Sequence, residues 1–424
     1  SAELAGNYAL FLQDIRNDYD AAEILFKKAL ELDPNDAIYT GNYARFLKNV
    51  RKDYDAAEIL YKKALELDPN QANHTGNYAL FLHDVRKDYD AAEILYKKAL
   101  ELDPNCTNHT GNYALFLKNV RKDYDAAEIL FKKALKLDPN HANNIGNYAT
   151  FLHDVCKDYD AAEILFKKAL KLDPNGANHT GNYALFLQNV RKDYDAAEIL
   201  FKKALELDPN GANHTGNYAL FMQKVRKDYD AAEILKKKAL ELDPNGANHP
   251  GNYALFLKNV RKDYDAAEIL YKKALELDSN QANITGNYAL FLQDIRKDYD
   301  AAEILYKKAL ELDANDANLT GNYCQLLLAR ADRRRGAEML NRAFALNPTN
   351  PPLLAELWFY RLAHFPMEYP QAEQQIRDLL ATGARSEGWD LRDTIARAEA
   401  DGHPNVSLLR ELANAISGTD MHLN

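Results

Sequence analysis

The sequence predicts an all-α fold, an α-α superhelix of about ten helix-turn-helix repeats closed by a C-terminal helical cap. Three observations predict it. Gly-Asn-Tyr recurs at Gly6, Gly41, Gly76, Gly111, Gly146, Gly181, Gly216, Gly251, Gly286 and Gly321, always 35 residues apart. Each unit holds two stretches of helical periodicity. Each near-identical unit then ends on Asp-Pro-Asn or a close variant, a helix stop. Nine units spanning 6–320 are nearly identical, and a tenth, from Gly321, is divergent. The repeat array therefore spans 1–350, and a different helical sequence, the expected cap, fills 351–424.

Length and composition fit this reading. A chain of 424 residues exceeds what one hydrophobic core organises, but repeats pack only on their neighbours. Apolar content of 47% and charged content of 27% exclude a disordered chain. No apolar run approaches a membrane span, and no secretory leader is visible. The net charge of −10 argues against nucleic acid as the main partner. Cys106, Cys156 and Cys324 each replace a different repeat position, which points to a reducing, cytoplasmic setting and not to disulfides. The chain opens at Ser1 without a Met and directly on the repeat, which points to a covalent continuation N-terminal of Ser1.

Unit 72–106 shows the elements in order. Helix A covers about Ala72 to Val85 and buries Tyr78, Ala79, Phe81 and Leu82. Helix B runs from about Tyr89 to Leu102, with Ala92, Ile94, Leu95, Tyr96, Ala99, Leu100 and Leu102 as its apolar face. Asp90 and Glu93 are spaced as a capping box. Early acids and later Lys97 and Lys98 match the helix dipole, and Glu93–Lys97 pairs read as a solvated face. Asp103-Pro104-Asn105 stops the helix. Beyond the array, Leu353–His364, Gln371–Ala381, about Trp389–Ala400 and Val406–Ile416 read as amphipathic helices.

Asp-Tyr-Asp-Ala-Ala-Glu followed by Lys-Lys-Ala-Leu-Glu-Leu-Asp-Pro-Asn resembles the second half of a tetratricopeptide repeat. The resemblance covers at least 6–350. It places the family's small packing positions on Ala79, Ala92 and Ala99, its aromatic on Tyr96 and its terminal proline on Pro104. The family usually runs one residue shorter. The extra residue is expected between the helices around Arg86-Lys87, where Lys87 stands in place of a turn glycine. The tenth unit lacks that residue, and Gly336, Leu340 and Ala343 then fall on family positions. Lys236 replaces the helix-B aromatic, and Ser279 and Ala314 replace the proline, as local softenings.

The resemblance implies a concave surface lined by A helices, where a protein or peptide ligand lies. Helical spacing puts Asn73, Asn77, Leu80 and Asp84 on one stripe, with His83 alongside. The Asn77 column holds Asn42, Asn77, Asn112, Asn147, Asn182, Asn217, Asn252 and Asn287, and Asn7 and Asn322 complete it. A carboxamide both donates and accepts, so it can pair with a peptide backbone. Rungs roughly 8–10 Å apart would hold one residue in three of an extended chain. A bridging or capping role for these asparagines is the alternative.

Candidate specificity positions vary while their surroundings stay fixed: Arg45, Lys48, His83, Asp84, Lys118, His153, Asp154, Gln188 and Lys224. Tuned recognition and free drift of exposed sites both fit them. The histidine column, His74, His109, His179, His214 and His249, is too widely spaced to share one metal. No catalytic motif, cofactor loop or metal motif stands out, so the chain is expected not to be an enzyme and to need no cofactor. The leading reading is a protein-interaction scaffold. The alternatives are a sensor or recruitment arm of a larger signalling protein whose effector domain is missing here, and single-stranded RNA binding like that of pentatricopeptide repeats, whose period is also 35.

Overall fold

The computed structural model describes residues 1–386 and 389–418. The chain forms two compact units, Ser1–Pro209 and Asn210–Asn424. The first holds six helix pairs among its described residues, from Ala2–Phe11 with Tyr19–Leu32 to Ala177–Phe186 with Tyr194–Leu207. The second holds hairpins seven to nine and the tenth pair, Ala317–Ala329 with Arg333–Ala345. Four helices follow: Pro351–His364, Ala372–Ala381, Arg392–Ala400 and Val406–Ser417. No strand occurs among the described residues.

In the third hairpin, Tyr78, Ala79, Phe81 and Leu82 of helix A meet Ala92, Tyr96 and Ala99 of helix B in the core. Aromatic rings link successive hairpins. Tyr96 stacks on Tyr113 at 5.6 Å and lies tilted 5.5 Å from Phe116. The expected apolar face of helix B needs one correction. Ile94 is 67% exposed, as are its equivalents, because two residues past Ala92 a side chain points away from the core.

The repeat glycine allows close approach of adjacent A helices. A Cβ on Gly76 would fall 2.3 Å from the His109 ring, and one on Gly41 would fall 2.4 Å from His74. His74, His109 and His179 are therefore buried knobs seated on glycine holes.

The extra residue of the 35-residue unit does not widen the turn. Helix A is α-helical over Ala72–Phe81 and then winds as a π-helix over Leu82–Arg86. The N–H groups of Lys87 and Asp88 both reach the Leu82 carbonyl. An inserted residue is thus absorbed as an i→i−5 turn closed on the Leu82 carbonyl. Lys87 then adopts φ 58°, and the same left-handed position is held by Asn17 in the first unit and by a lysine in each of the other seven near-identical units. The tenth pair lacks both the extra residue and the π turn.

The capping box at Asp90 and Glu93 is also corrected. Helix B begins at Tyr89, so Asp88 is the N-cap and its carboxylate accepts from Ala91 N at 3.1 Å. Glu93 lies too deep in the helix to cap it. Ser279 and Ala314 do not soften the helix end. Helices Tyr264–Leu277 and Tyr299–Leu312 stop where their proline-bearing counterparts do, each followed by an Asp that accepts from the N–H two residues on.

The C-terminal helices join the tenth pair. Cys324, Leu328, Leu340 and Ala343 share one core with Leu357, Tyr360, Ile376, Ile395 and Leu412. Arg392–Ala400 starts three residues later than expected for the third of them. Of the segment 351–424, residues 387–388 and 419–424 lie outside the described residues.

Candidate functional site: the helix-A groove

Helix A carries the site because its sequence splits into two faces. Thr75, Gly76, Tyr78 and Ala79 turn inward, and Asn73 and Asn77 do not. In the first unit Asn42, Asn77 and Asn112 line one groove of about 450 Å³ together with Arg45, Asn73 and Asn108. Asn42, Asn77, Asn112, Asn147 and Asn182 are each half-buried. In the second unit Asn217 and Asn287 are half-buried and Asn252 is exposed. Among the described residues no carboxamide of this column has a hydrogen-bond partner within the chain.

Asn73, one turn away, behaves differently. Asn73 Oδ1 faces His109 Nε2 at 3.2 Å, which ties one hairpin to the next. The bridging role considered for asparagines thus appears at Asn73.

Most variable positions contact one another. Lys48 donates to Asp84 at 3.2 Å, Lys118 to Asp154 at 2.6 Å and Lys258 to Asp294 at 3.5 Å. Each pair joins consecutive hairpins at a separation of 36 residues. Burial opposes ionisation of Asp154, yet hydrogen bonds from His153 and Lys118 outweigh it and hold the carboxyl at about 2. His83 Nδ1 lies 3.3 Å from the Tyr96 hydroxyl, and burial lowers its pKa. Gln188 donates to Asn189 at 3.1 Å. Arg45 differs from these: it lines the groove, and its Nε is buried with no hydrogen-bond partner. Lys224 is exposed.

Sequence reasoning missed a second polar system. The Glu93–Lys97 pair exists at 2.7 Å, but Glu93 also accepts from Tyr113 Oη at 3.3 Å and Arg121 Nε at 2.6 Å. Arg121 Nη2 donates to Asp90 at 2.6 Å and to the Tyr89 carbonyl at 3.2 Å. The acids of helix B therefore form half of a clamp onto the next hairpin. Hydrogen bonding from Lys97 leads, and with Arg121 it holds the Glu93 carboxyl below its usual range against desolvation. The signal was present as an arginine column interrupted at Cys156, and as lysines followed 36 residues later by aspartates.

Stacked helical hairpins with an inward Gly/Ala seam and a polar groove define a helical-repeat solenoid. Tetratricopeptide repeat family models match residues 15–72, 51–107 and 157–212, and 121–141 and 292–316. A Sel1 repeat model matches 253–279. The chain belongs to the tetratricopeptide repeat family. No curated protein matches it. Among solved structures it resembles the human IFIT1 dimer with PPP-AAAA at 18% identity, covering 91% of each chain with a TM-score of 0.55. The human IFIT1 dimer with m7Gppp-AAAA matches at 18% identity over 81% of each chain, TM-score 0.52. Yeast Tom70 matches at 18% identity over 95% of this chain and 99% of that one, TM-score 0.48. These likenesses concern the fold, and the family is one of protein-interaction scaffolds. No helix among the described residues is long and apolar enough to cross a membrane.

Proposed function

We propose that the chain binds an extended peptide or protein segment along the helix-A groove, held by the Asn77 column. One observation carries this reading: the carboxamides of Asn42, Asn77 and Asn112 line the groove without internal partners, while Asn73 beside them is engaged by His109. An unpaired carboxamide in a groove offers both halves of a backbone hydrogen-bond pair. Arg45, the cation in an otherwise leucine-rich column, sets the register by taking an acidic ligand side chain. Residues 1–350 act as the binding array and 351–424 as its cap, a role supported by the core they share with the tenth pair. The recruitment-arm reading differs in what is fused to the array, and the full-length gene decides it.

The test replaces Asn77, Asn112, Asn147 and Asn182 together with Ala. Binding to an arrayed library of extended peptides is measured alongside the melting midpoint. The expected result is loss of binding at an unchanged midpoint. Unchanged binding would sink the ladder, and a lowered midpoint without a specific binding loss would make it structural. Salt-sensitive binding of single-stranded RNA in place of peptide would favour the nucleic-acid reading.

A further inference from the structure

In the second unit, two adjoining cavities of about 240 and 250 Å³ lie at the C-terminal end of helix Pro351–His364, against helix Arg392–Ala400. Arg333, His364 and Asp401 line both, and Arg397 lines the second. We infer that this paired cavity binds an oxyanion group, the carboxylate or phosphate of a small ligand.

His364 is the first support. It is 5% exposed, and its Nε2 is buried without a hydrogen-bond partner. A buried polar atom left unpaired is destabilising, so such an atom calls for a partner. Burial pushes its pKa down to about 4, which leaves the ring neutral at pH 7 and able to donate from Nε2. His403, by contrast, is already used: its Nε2 faces the Leu362 carbonyl at 3.1 Å and its Nδ1 accepts from Asn405 N at 3.1 Å.

The two guanidiniums are the second support. Arg333 lies 4.6 Å over the Phe365 ring, and its ion-pair contact is a long one, 3.8 Å to Glu368. Arg397 Nε donates to Asp401 at 3.0 Å, so Asp401 positions it. A ligand here meets donors from His364 and Arg333, beside a second, oriented guanidinium. Of the carboxylates lining the cavities, Asp401 is committed to Arg397 through both oxygens and Glu368 reaches Arg333 only at 3.8 Å, so Arg333 is the cation left to take an oxyanion. An oxyanion satisfies His364 and Arg333 at once.

The experiment titrates the full chain with inorganic phosphate and, separately, with succinate, each at constant ionic strength in chloride. Calorimetry reads affinity, and ¹⁵N NMR of the histidine rings reads the His364 environment. Saturable binding of either probe is expected, with the His364 Nε2 resonance moving on saturation. Arg333→Gln weakens binding about tenfold or more, and Arg333→Lys recovers part of it. His364→Phe fills the space, and a variant with an unchanged melting midpoint that no longer binds confirms the site without a folding defect. Binding of phosphate alone identifies a phosphoryl group, and binding of succinate alone identifies a carboxylate. Saturation by neither probe up to about 10 mM, or wild-type affinity in Arg333→Gln, overturns the inference.

Discussion

Arg121 donates from Nε to Oε2 of Glu93 at 2.6 Å across the seam between the third and fourth hairpins. The same guanidinium lies 5.4 Å over the Phe116 ring. One side chain thus joins the core of its own hairpin to the acids of the preceding one. The same contact recurs between other hairpins, as from Arg86 Nε to Glu58 at 2.6 Å.

That clamp is missing at one seam. Cys156 takes the arginine position, and Glu128 keeps its pair with Lys132 at 2.7 Å. Cys156→Arg is expected to place a guanidinium on Glu128 and Asp125. It should raise the melting midpoint by roughly 1–3 °C and slow hydrogen exchange in helix Tyr124–Leu137. Adding Glu128→Gln should cancel most of the gain. A gain that survives the second change would mean the arginine acts through Phe151 stacking alone.

Lys236 is a buried, charged departure from the repeat. It occupies the helix-B aromatic position at 4% exposure, over the Phe256 ring at 5.6 Å. Burial, with a further push from Lys224, lowers its pKa from 10.5 to about 8, which corresponds to about 3 kcal/mol of strain on the charged form. The unfolded chain holds more protons between pH 8 and 10.5, so the strain is full below 8 and relieved as pH rises through that window. Lys236→Tyr should restore the ring cluster, raise the midpoint at pH 7 and narrow its advantage at pH 9.5. Equal midpoints at pH 7 would contradict the assignment.

Glu356 makes the opposite prediction. Burial raises its carboxyl from 4.5 to about 7, and its hydrogen bond with Ser386 only partly offsets this. The folded chain therefore holds more protons between pH 4.5 and 7, and this stabilisation is lost as pH rises across that range. Glu356→Gln should raise the stability of the second unit at pH 7.5 by up to about 3 kcal/mol and make little difference at pH 5. Thermal melts of both proteins at the two pH values check it.

The π turn should be dispensable. Deleting Asn189, an exposed residue in the π turn Leu187–Arg191, should convert that turn to α-helix, as in the tenth pair. The midpoint should shift by no more than roughly 5 °C, with unchanged helical circular dichroism. Loss of cooperative melting would show that the extra residue sets the packing of the hairpin.

The chain's sequence alone determined the period, both helices of the unit, the buried Tyr78, Ala79, Phe81 and Leu82, and the family. Periodicity and glycine and proline punctuation are local, and repetition makes them unmistakable. What needed tertiary structure was the fate of each polar side chain. Glu93 and Ile94 sit side by side on helix B, and only the neighbouring hairpin makes the charged one a seam contact and leaves the apolar one 67% exposed. Asn73 and Asn77 share one stripe of helix A. The His109 ring, seated over Gly76, engages Asn73 and leaves Asn77 free in the groove. Such distinctions depend on distances between residues about one repeat apart, which no helical wheel contains. For the same reason the cavity around Arg333, His364 and Arg397 carried no sequence signature: its three basic residues come from three helices that meet only in the folded chain.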